Sequence, residues 1–76
     1  MECTLDKLMA GRSCSVAKIN GDAKVKNRFL DIGLTDGTKI ECLFYGPKRE
    51  INAYLIKNAI IAIRKEDARN ILIDIN

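Results

Sequence analysis

The chain has 76 residues, with 13 Lys and Arg against 10 Asp and Glu for a net charge of +3, and 47% of it is apolar. That length predicts one domain, residues 1–76, with one small core, since chains divide into domains at about 100 to 200 residues. No apolar run approaches the ~18 residues of a membrane span and residues 1–10 are too short and polar for a signal peptide, so a soluble, cytoplasmic protein with no membrane insertion is expected.

The opening "TLDKLMAG" offers Thr4 as an N-cap and Asp6 in a first turn, where a carboxylate complements the helix dipole. Leu5, Leu8 and Met9 make an apolar stripe that ends near Gly11, which predicts one or two helical turns lidding a core. Residues 14–19 mix small, β-branched and polar side chains before "NGD", the pattern of a first strand running into a turn.

From Asp22 the period becomes helical. Val25, Phe29 and Ile32 fall at i, i+4 and i+7, Asp22 can cap the helix, and Gly33 ends it. In a Schellman ending the glycine takes a positive φ and the next residue, Leu34, folds back onto Phe29. The alternative leaves Leu34 at the surface.

Residues 38–45 alternate, placing Ile40, Cys42 and Phe44 on one face of a long strand. "GPKRE" supplies a turn into a third strand at residues 51–56, and Lys57-Asn58 a two-residue turn into a fourth at residues 59–63. "RKEDARN" reads as a short polar helical turn. Ile71, Ile73 and Ile75 alternate in a closing strand. Five short strands with helical insertions predict a mainly β protein, a small five-stranded SH3-like barrel, because curling buries both the core and the sheet edges.

The residues that punctuate the chain carry little chemistry. Gly33 and Gly37 follow a helix rather than precede one, so the dipole there repels phosphate and no nucleotide cradle is expected. Asp31 and Asp36 are too far apart, with apolar residues between them, to form a calcium loop. Cys3, Cys14 and Cys42 are odd in number and lack a CxxC spacing, and the chain has no histidine. Neither a disulfide framework nor a structural metal site is therefore expected, and Cys14 and Cys42 are read as inward-facing core residues. No nucleophile stands beside a base, so no enzyme and no cofactor are expected.

A basic patch of Lys24, Arg28, Lys48 and Arg49 would need exposed aromatics to bind single strands. Only Tyr45 and Tyr54 are free for that, so nucleic acid is not the expected partner.

The order of motifs resembles the FeoA family, ferrous iron transport protein A. The resemblance is carried by "TLDKL", by "RFLDIGLTDGT" with Arg28, Leu30, Gly33, Leu34, Gly37 and Thr38, and by "AIRKEDA" at residues 62–68. It covers nearly the whole chain. One departure is Asn58-Ala59, where family members often have a glycine and an aromatic. The resemblance implies an SH3-like domain that serves as a non-enzymatic accessory to Fe(II) uptake, binding a FeoB-type membrane transporter with a cytosolic GTPase domain. Small nucleic-acid-binding or metal-sensing SH3-like barrels are the alternatives. The expected partner-binding residues are the basic and partly exposed apolar groups around the helix end and the hairpins: Arg28, Leu34, Tyr45, Lys48, Arg49 and Lys57.

Overall fold

A computed structural model describes residues 2–75. Its strands are β1 (Glu2–Thr4), β2 (Ser13–Ile19), β3 (Lys39–Tyr45), β4 (Ile51–Ile56), β5 (Ala59–Arg64) and β6 (Ile71–Ile75), with helices α1 (Ala23–Asp31) and α2 (Lys65–Ala68) and 3₁₀ turns at Leu5–Lys7 and Pro47–Arg49. The sheet runs β1-β6-β2-β3-β4-β5, every neighbouring pair antiparallel. The fold is mainly β and SH3-like, as expected.

Two features depart from the expected barrel. There are six strands, because Glu2–Thr4 pairs with β6 through Cys3 opposite Ile73. A strand this short has too few residues to show alternation in sequence. The sheet also stays open: β1 and β5 are its outer strands, so curling does not remove both edges.

The helical opening is shorter than the apolar stripe implies. Leu5 and Leu8 are buried, but the backbone at Leu8 is already extended, and Met9 is 62% exposed. Thr4 stands at the N-cap position without capping the backbone; its hydroxyl instead hydrogen-bonds the Asp6 carboxylate.

The α1 boundaries follow the sequence closely. The Asp22 carboxylate accepts from the Val25 N–H at 3.0 Å, satisfying a donor that the first turn leaves free. At the other end Gly33 has φ +84°, its N–H donates to Leu30 O at 2.9 Å, and the Leu34 N–H donates to Phe29 O at 2.9 Å. That is the Schellman pair of bonds, and it draws Leu34 fully into the core.

Along β3 the alternation breaks. Cys42 pairs with Tyr54 but Phe44 pairs with Ala53, so Leu43 is an extra residue in a β-bulge. Ile40 and Cys42 point inward as expected. Beyond the bulge the faces swap: Phe44 is 59% exposed, and Tyr45 packs on the core in its place. In β4 the inward row is Asn52, Tyr54 and Ile56, and Tyr54 is completely buried rather than available for stacking.

Candidate interaction surface

The sharp return between β3 and β4 depends on a close approach of backbone. The Gly46 N–H donates to Ile51 O at 2.8 Å, and a Cβ on Gly46 would lie 2.2 Å from that oxygen. Only glycine fits there. The buried side chain of Asn52 supports the same turn, its Oδ1 lying 3.3 Å from the Gly46 nitrogen. Within the turn Lys48 and Arg49 have φ 56° and 57°, in the left-handed region.

That conformation aims the Arg49 guanidinium over the Tyr45 ring, 3.9 Å from its centroid. The Tyr45 hydroxyl in turn accepts from the Ala10 N–H at 2.8 Å, tying the segment before β2 to the end of β3. Beside this stack lies a depression bordered by Asp6, Lys7, Met9, Lys48, Arg49 and Lys65. Its one carboxylate is already engaged, since Asp6 accepts from Thr4 and pairs with Arg69 at 3.9 Å. The rim is therefore positive.

The expected site residues fall into two groups. Tyr45, Lys48 and Arg49 meet at the β3–β4 turn. Arg28 and Lys57 lie elsewhere, beside the end of α1: Arg28 Nη2 is 3.2 Å from Asp67 Oδ2, and the Lys57 side chain lies over Gly33, where an added Cβ would come within 3.3 Å of it. Leu34 belongs to neither group. It is fully buried by the Schellman turn, so it staples α1 to the core and presents nothing to a partner.

Sequence reasoning missed the outward face of β3, β4 and β5. Phe44 stands opposite Ala53 and Ala53 opposite Ala62, with Leu55 opposite Ile60 in the next row. Phe44, Ile51 and Ile60 are 59, 46 and 68% exposed, so this face is apolar and open. The isoleucines of β5 gave a signal, because Ile61 and Ile63 inward force Ile60 outward. Nothing in the sequence marks the bulge that turns Phe44 over.

The Cys14 and Cys42 thiols are core groups, and Cys3 is partly buried against them. Cys14 is pushed up to about 11 by burial, reinforced by Cys3 and Cys42, and burial also raises Cys42 against the opposing charge of Arg49. Among the described residues, no group of three or more His, Cys, Asp or Glu is placed to hold a metal ion. No helix among them is long and apolar enough to cross a membrane.

Three solved structures share this architecture. The FeoA-like protein of Clostridium acetobutylicum superposes with a TM-score of 0.90 at 23% identity, covering 97% of this chain and 86% of that one. FeoA of Chlorobium tepidum gives 0.88 at 25% identity over 96% and 70%. The zinc-complexed FeoA of Stenotrophomonas maltophilia, described as a prokaryotic SH3 domain protein, gives 0.82 at 20% identity over 95% and 89%. No curated protein sequence matches the chain. The FeoA domain model matches residues 3–75, and with the fold that match places the chain in the FeoA domain family, which is associated with ferrous iron transport.

Proposed function

We propose that this protein is a non-catalytic, cytoplasmic accessory of Fe(II) uptake that docks on the cytosolic, GTPase-bearing part of a FeoB-type membrane transporter and modulates or supports it. The observation that carries the reading is membership of the FeoA domain family over residues 3–75. The S. maltophilia relative has itself been put forward as a ferrous iron transport activating factor.

The surface supports a docking role over a purely structural one. Lys48, Arg49 and Lys57 occupy left-handed backbone, where a residue with a Cβ costs roughly 1–2 kcal/mol relative to glycine. All three are exposed cations at turns that glycine or asparagine would form more easily. Keeping the long side chain at that cost points to a use for it. Phe44 and Ile51 add exposed apolar area at the same β3–β4 hairpin.

Titrating the labelled protein with the transporter's cytosolic GTPase domain should shift amides of residues 44–58 in a localised pattern. Absence of shifts at high concentration, with and without nucleotide, would overturn direct docking on that domain. A rise in GTP hydrolysis on adding the protein marks a regulator; binding with unchanged hydrolysis marks a scaffold.

A further inference from the structure

The open edge of β5 has a defined set of free backbone groups. Lys57 and Asn58 have φ 49° and 66°, the signature of a two-residue type I′ hairpin, so Ile56 and Ala59 flanking it form a hydrogen-bonded pair. The alternation then makes Tyr54 with Ile61 and Asn52 with Ile63 hydrogen-bonded pairs too. The far end confirms the phase, since one step beyond the Ile51–Arg64 pair the Lys65 N–H donates to Glu50 O at 2.7 Å. Ile60, Ala62 and Arg64 consequently direct their N–H and C=O groups away from β4. The Arg64 carbonyl is taken up as the first acceptor of α2, and among the described residues no turn, loop or side-chain hydrogen bond reaches the Arg64 N–H or the N–H and C=O groups of Ile60 and Ala62.

This edge faces a groove of about 310 Å³. Its far wall is the end of α1, through Arg28, Phe29 and the C-cap residue Ile32, and its near wall is β5 from Ile61 onward. A strand edge beside a helix leaves room for one extended chain, whose backbone completes the ladder while alternate side chains enter the groove.

The charges select that chain. Two guanidiniums, Arg28 and Arg64, line the groove against the single carboxylate of Asp67, and Arg28 already neutralises that carboxylate at 3.2 Å. Arg64 has only a distant, solvent-exposed pairing with Glu66 at 4.0 Å, which is weak. Lys57 lies over Gly33, next to Ile32 of the far wall. We propose that the groove between β5 and α1 binds an extended segment of a partner protein by strand addition to β5, the segment alternating apolar residues with acidic ones. The inference holds whatever protein carries the segment.

The probe is a blocked heptapeptide of alternating glutamate and valine, with a lysine–valine peptide as its control. The acidic peptide should shift the amides of Ile60, Ala62, Arg64 and the last turn of α1, and slow hydrogen exchange of those three amides about tenfold at saturation. The lysine peptide should bind at least about tenfold more weakly. Ala62→Pro removes an outward N–H and no bond of the β4–β5 ladder, which an edge strand tolerates. It should keep the cooperative melt and weaken the acidic peptide by at least about tenfold. Equal affinity for the two peptides, shifts confined to another surface, or no slowing of the three amides overturns the proposal. So does protection of those amides by concentration alone, which would make a second copy of this chain the occupant.

Discussion

Leu34 shows how one residue's role can be decided by its backbone bonds. Sequence allows it to be a staple or a contact, and the bond from its N–H to Phe29 O commits it to the first. Because it is fully buried, Leu34→Ala should cost roughly 2–5 kcal/mol in urea unfolding, the range for a buried leucine. Binding of the folded variant to any partner should be unchanged. Tyr54 is buried with the opposite consequence. Its hydroxyl has no partner of ordinary geometry among the described residues, and burial raises its pKa, with the Asn52 amide opposing. An unpaired buried hydroxyl opposes folding, so Tyr54→Phe should leave stability within about 0.5 kcal/mol or raise it. A loss above about 2 kcal/mol would show that the hydroxyl is bonded after all.

At the scale of elements, legibility followed the range of the forces involved. The α1 helix was readable because its cap, its apolar period and its terminating glycine are local, each acting within about one turn. The β4–β5 hairpin was readable for the same reason, through the turn at Lys57-Asn58. What sequence hid was set between strands. The bulge at Leu43 exists only relative to β4, and β1 exists only relative to β6. Phe44 was misplaced as a direct result, and the open face around it went unseen. The candidate surface was thus partly legible: Tyr45, Lys48 and Arg49 were named, but Lys7 and Lys65 of the same rim were not, and the separation of Arg28 and Lys57 into a second cluster depends on packing. The β4–β5 turn also gives a quantitative expectation. Lys57→Gly should stabilise the protein by roughly 0.4–1 kcal/mol by relieving the left-handed lysine, with part of the gain offset by unfolded-chain entropy. If Lys57 contributes to docking, the same variant should bind its partner more weakly while melting higher, and a calorimetric scan beside a binding titration reads both.

The whole molecule couples its core to pH through the groups it buries. A domain this small has little stability in reserve, so a shift in one group is visible globally. Cys14 is 2% exposed and lies beneath the sheet between β3 and β6, where ionisation would place an anion among aliphatic side chains. Its pKa rises from an ordinary 9.0 to about 11, and those of Cys42 and Tyr54 move in the same direction. In the unfolded chain the Cys14 thiol releases its proton near its ordinary value, while the folded protein holds it until about 11. Between those values the folded state binds more protons, so raising the pH draws the equilibrium toward unfolding. The contribution is fully present below about pH 9 and declines progressively up to about 11. The urea midpoint should therefore be flat with respect to Cys14 from neutral pH to the lower limit and fall above it. Cys14→Ala should lower stability at every pH by leaving a small cavity, yet show a shallower alkaline decline than the parent. The difference in slope isolates the Cys14 thiol from every other group in the protein. Parallel declines in parent and variant would mean that Cys14 ionises at nearly the same pH folded and unfolded, and that the alkaline sensitivity originates in other groups.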